Sequence, residues 1–111
     1  MTIIVANART YRGDGIYVGR RHPRFKASPL ANPYRVGTGM SRTLAATLYE
    51  KWLDDQMKSD TPARREIMRL VELYKRNGAM TLICWCAPLM CHGHYVAEVM
   101  GQLSRDGVGD A

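Results

Sequence analysis

All three cysteines of the chain and one of its three histidines fall within Cys84-Trp85-Cys86-Ala87-Pro88-Leu89-Met90-Cys91-His92. Sulfur and imidazole donors this dense suggest three chemistries. Cys91 and His92 sit where an apolar run has ended and a helical pattern begins. The first N–H groups of a helix lack intrahelical partners, and the helix dipole favours negative charge there, so a thiol becomes more acidic. Cys91 is therefore a candidate nucleophile and His92 a candidate acid–base group. Alternatively, Cys84, Cys86, Cys91 and His92 offer three sulfurs and one nitrogen, a donor set that suits zinc. Their spacing differs from the common finger patterns. Thirdly, Cys84 and Cys86 could be buried apolar filling with no chemistry. The residues alone leave all three open.

These side chains must be positioned by regular elements on either side. Met80 to Trp85 is almost continuously apolar, as in a central strand covered on both faces. Alternation would then send Cys84 and Cys86 to one face and Trp85 to the other. Residues 91–104 place Val96, Val99, Met100 and Leu103 on one side of a helix. At the other end of the chain, Thr2 to Asn7 reads as a strand. Ile16 to Gly19 reads as a second, and the turn at Tyr11 to Gly15 could join the two as a hairpin. Ser41 caps a helix running to about Lys58, with Leu44, Leu48 and Trp52 on its apolar face and Ala45, Tyr49 and Leu53 widening it. Thr61-Pro62 starts another helix and Asn77-Gly78 ends it. Residues 20–40 hold Pro23, Pro29 and Pro33 and show no regular pattern, which marks a functional loop. The order β, β, loop, α, α, β, loop, α predicts a small single-domain α/β sandwich over residues 1–105. It would have a short mixed or parallel sheet and three or so helices, with 106–111 a frayed tail.

Composition narrows the class. A chain of 111 residues with 46% apolar content can bury one core. No run approaches the roughly 18 apolar residues of a membrane span. The first residues read as a strand and not a signal peptide, and an odd, clustered set of cysteines fits a reducing compartment, so a cytoplasmic protein is expected. The net charge of +6 is uneven: residues 1–43 carry eight basic side chains and a single acid, Asp14. Such a field attracts phosphates, nucleotides or nucleic acid.

Five stretches together resemble the DUF4326 family. They are Tyr17-Val18-Gly19-Arg20, Ser28-Pro29-Leu30-Ala31-Asn32-Pro33-Tyr34, Tyr49 with Trp52-Leu53, Leu82 to Pro88, and Cys91-His92. The chain has Ala31 where that family usually has Gly. It has Gly93-His94 where a small residue followed by Asp is common. The Cys-His end is also similar to the DUF488 family. The resemblance implies a small α/β domain found in phages and bacteria, with no assigned activity. It also implies that Arg20, the Asn32 loop and the Cys-His segment meet in space.

The resulting expectation is a pocket at the start of the last helix that binds, and in one version processes, a phosphate-bearing small molecule such as a nucleotide or nucleoside derivative. Arg20 would hold the anion with its planar fork. Asn32 would bond a base or ribose, Tyr34, Trp85 and Cys86 would complete the wall, and His92 and Cys91 would carry any reaction. No cofactor is needed in this reading. The alternative is a non-enzymatic nucleic-acid or protein-binding module that uses the basic arm, with or without a stabilising zinc. No membrane partner is expected in either case.

Overall fold

The computed structural model describes residues 2–37, 39–85 and 92–106. Among these residues three strands and three helices run in the order β1 (Thr2–Asn7), β2 (Ile16–Tyr17), α1 (Arg42–Gln56), α2 (Pro62–Asn77), β3 (Ala79–Cys84) and α3 (His92–Arg105). The protein is thus a mixed α/β domain, as the element order implies. The strand order is β1-β3-β2, and both pairings are parallel. Ile4 aligns with Thr81 and Ala6 with Ile83 on one edge of β3, while Ile16 aligns with Leu82 and Tyr17 with Ile83 on the other.

The hairpin expected between β1 and β2 does not form, because β3 lies between them. The most apolar strand takes the centre, where both its edges are hydrogen-bonded. Leu82, Ile83 and Cys84 are consecutive and all buried. Alternation places Ile3, Val5, Ile16, Met80, Leu82 and Cys84 on one face, and this face carries the core with Ile67, Leu70 and Val71 of α2 and Val96 and Met100 of α3. On the other face the backbone at Gly15 approaches Ile83 so closely that a Cβ would lie 2.9 Å from its Cδ1. Ile4, on the β1 edge, is 56% exposed.

Local signals set the helix ends. Ser41 Oγ accepts from Leu44 N and Thr61 Oγ1 from Arg64 N, each satisfying an otherwise unpartnered N–H. Pro62 opens α2, and Gly78 ends it at φ 79°, in the left-handed region that favours glycine. The apolar face of α1 is rotated from the one read in the sequence. Ala45, Ala46, Tyr49 and Leu53 are buried, whereas Leu44 is exposed and Trp52 half-buried. The cause is its neighbours: α1 packs on α2, α3 and the 20–40 loop, whose fully buried Leu30 accepts the Tyr49 hydroxyl at its carbonyl, 2.6 Å away.

Candidate functional site

The carboxyl ends of β2 and β3 and the first residues of α1 and α3 surround a cavity of about 310 Å³. In open α/β sheets ligands sit beyond the carboxyl ends of the strands, where loops can converge. The wall includes Gly19, Arg20, Asn32, Tyr34, Trp85 and His92. Residues far apart in sequence, Arg20, Asn32 with Tyr34, Trp85 and His92, therefore border one space.

A relay of hydrogen bonds fixes this wall. Trp85 follows β3, its carbonyl accepts Asn7 Nδ2 at 3.2 Å, and its Nε1 donates to Tyr17 Oη at 2.8 Å. The Tyr17 hydroxyl donates in turn to the Arg20 carbonyl at 2.6 Å. Gly19 is required here, since a Cβ at that position would overlap the Tyr17 hydroxyl. Ser28 N donates to the Gly19 carbonyl at 3.0 Å and closes the loop behind Arg20. Asn32 bridges two segments. Its Oδ1 accepts from Tyr34 N at 2.8 Å, a local Asx turn, and its Nδ2 donates to the Ala45 carbonyl at 3.4 Å. Asn32 therefore shapes the loop and ties it to α1, with one amide N–H remaining for other use.

His92 is the first residue of α3. Its Nε2 lies 2.6 Å from the Val18 carbonyl. A carbonyl can only accept, so Nε2 carries the proton and in the neutral ring Nδ1 carries the lone pair. The ring also meets Tyr49 edge-on at 5.2 Å. Burial holds the imidazole pKa below its ordinary value; the Val18 carbonyl opposes this, and the positive charges of Arg20 and His94 reinforce it. His92 is thus a neutral imidazole near pH 7.

Three further wall residues escaped the sequence reading: Arg35, Val36 and Arg42. Arg42 is the first residue of α1 and resembled an ordinary exposed helix residue. Arg35 lay within the irregular loop. Their only signal was the excess of positive charge in residues 1–43. Val36, 53% exposed, gives the rim an apolar lip. With Arg20, three arginines border the cavity, and no Asp or Glu does so among the described residues.

The cysteines divide. Cys84 is fully buried in the core, where its Sγ lies 3.5 Å from the position a Cβ on Gly93 would take. Cys86 and Cys91 lie outside the described residues, as do residues 107–111 of the tail. Of the zinc ligand set, Nε2 of His92 is engaged by Val18, which leaves Nδ1 as its donor atom. Among the described residues no group of three His, Cys, Asp or Glu side chains could hold a metal ion. No helix there is long and apolar enough to cross a membrane.

Residues 5–102 match the family described as Domain of unknown function (DUF4326), so the chain belongs to that family. The match takes in every residue named above as cavity wall. No curated protein and no solved structure matches the chain.

Proposed function

We propose that the cavity binds a phosphate-bearing small molecule, a nucleotide or nucleoside derivative. The observation that carries this reading is the convergence of Arg20, Arg35 and Arg42 on a space without a carboxylate wall among the described residues. The first turns of α1 and α3 add the positive ends of two helix dipoles. Guanidinium groups match phosphate oxygens in pairs, and charge-assisted bonds of this kind are stronger than neutral ones. Tyr34 and Trp85 supply flat apolar surface for a base or ribose, and a volume of about 310 Å³ suits one nucleotide-sized ligand. Binding is the function claimed. Within the cavity His92 is the group equipped to accept a proton, through Nδ1, and Cys91, its neighbour in sequence, is the thiol assigned to any covalent step.

Thermal shift and calorimetric titration with the four nucleoside monophosphates and with pyrophosphate test this reading. A specific ligand should raise the melting temperature in proportion to its occupancy. Arg42→Ala, at an exposed position whose side chain makes no ion pair among the described residues, should weaken binding about 10- to 100-fold, the loss of one strong ionic hydrogen-bond pair. Arg20→Ala should do at least as much. Absence of any shift with all five probes, or an Arg42→Ala protein that binds normally, would exclude the proposal.

A further inference from the structure

Arg12 and Arg24 come from different segments but aim at one atom. Each donates through Nη1 to the Ala8 carbonyl, at 3.0 Å and 3.1 Å respectively. The two guanidinium groups are therefore side by side, their Nη1 atoms no farther apart than those bonds laid end to end. Arg12 Nη1 also reaches the Tyr11 carbonyl at 3.3 Å. Both residues are exposed, and neither makes an ion pair among the described residues. The pairs found there, Lys58–Asp55, Arg65–Asp60 and Arg69–Glu66, belong to the other half of the chain. No acidic residue occurs between Asp14 and Glu50. Two like charges are thus gathered on a neutral oxygen, with their Nε and Nη2 donors still to be used.

Aromatic rings connect this pair to the cavity. The Arg24 guanidinium lies 4.9 Å from the centre of the Phe25 ring. Phe25 stacks on Tyr17 at 4.2 Å and 13°, and meets Trp85 edge-on at 6.2 Å. His22 leans on Trp85 at 4.6 Å, and its Nδ1 accepts from Arg24 N at 3.1 Å. All four residues are half-buried. Trp85 is at the same time part of the cavity wall. Arg21, Arg24 and Lys26, with His22 and Phe25, also border an open cleft of about 780 Å³.

We propose that this surface carries the phosphodiester backbone of a single-stranded nucleic acid, one nucleotide of which occupies the cavity. The inference rests on the phosphate-binding reading of the cavity and names its substrate class. Cations interleaved with exposed rings are what a single strand requires: the charges follow its backbone and the rings stack on its bases. A duplex keeps its bases stacked on one another and could not place a nucleotide beside Trp85 without opening.

Fluorescence anisotropy with a labelled, mixed-sequence single strand of ten nucleotides tests the proposal, run across a salt series. The strand should bind more tightly than any nucleoside monophosphate. The double variant Arg12→Ala/Arg24→Ala should weaken strand binding by about 10-fold or more and reduce the salt slope by about 0.7 for each lost contact. Its circular dichroism should match the unaltered protein, and its affinity for monophosphates should stay within about 5-fold, the usual worth of exposed charges. A strand no tighter than a monophosphate, or a double variant that binds it normally, overturns the proposal. So does equal binding of the matching duplex or of a polyglutamate peptide, which would indicate a charge field without strand recognition. Strand binding that survives Arg42→Ala but not the double variant would instead overturn the cavity reading and keep the surface.

Discussion

His92 joins the start of α3 to the end of β2 through one short bond to Val18, and that bond commits its tautomer. Titration of this residue has a signed consequence for stability. Its folded pKa lies below the ordinary 6.5, so the neutral form is favoured by folding. A group of this kind contributes stability that is complete above 6.5 and is lost as pH falls toward the folded value, because the unfolded chain then binds the proton more readily. The surrounding charges, Arg20 and His94, work in the same direction. Urea unfolding at pH 7.5 and pH 5.5 should therefore show a protein less stable at the lower pH. In His92→Gln, which can still donate to Val18 but cannot titrate, that difference should shrink. Identical pH dependence in the two proteins would show that His92 is not the group responsible.

At the scale of elements, α3 reaches the sheet because its second residue is a glycine. A Cβ on Gly93 would lie 3.2 Å from Val5 Cγ1 and 3.5 Å from Cys84 Sγ. Gly93→Val should cost about 1–3 kcal/mol by overpacking, read as a lower urea midpoint with an unchanged slope. Val5→Ala in the same chain should recover part of that loss, and independent, additive losses would argue against direct contact. The elements themselves were largely legible. Thr61-Pro62, Asn77-Gly78 and Ser41 act through bonds within a few residues, so their effect is written locally. The pairing of β2 was not legible, since a two-residue strand carries almost no pattern and its partner lies 66 residues away, at Leu82 and Ile83. On α1 the sequence pattern finds Ala45, Tyr49 and Leu53, which are buried, but cannot place Leu44 outside the core, because Leu44 and Ala45 are adjacent and the docking of Leu30 beneath Tyr49 decides which one is buried. Arg20, Asn32, Tyr34, Trp85 and His92 could be grouped from motifs, whereas Arg42 needed the three-dimensional placement of a helix start.

Over the whole molecule, charge is divided as the fold is. On α1 after Arg42, on α2 and on the turn between them, the acids Glu50, Asp54, Asp55, Asp60, Glu66 and Glu72 are balanced by Lys51, Lys58, Arg64, Arg65, Arg69, Lys75 and Arg76, while the first 43 residues hold the positive excess. The cavity opens among those residues, so an anion approaching from solution meets a positive field before it meets any specific group. Field and pocket can be separated because they obey different rules. A screened field acts mainly on encounter and fades with salt over about 10 Å at 0.1 M. A guanidinium that borders the cavity acts on the bound state. Arg9 and Lys26 are exposed and outside the cavity wall, with no ion pair among the described residues. Neutralising both, as Arg9→Ala/Lys26→Ala, should lower nucleoside monophosphate affinity by about 5-fold or less, the usual worth of exposed charges. Most of that change should appear in the association rate and vanish at high salt. Arg42→Ala should act chiefly on dissociation and persist in salt. Stopped-flow binding of the same monophosphate to both variants, at low and high ionic strength, measures the contrast. Equal, salt-sensitive losses from the two would mean that the arginines of the cavity contribute only to the general field and that no dedicated phosphate site exists there.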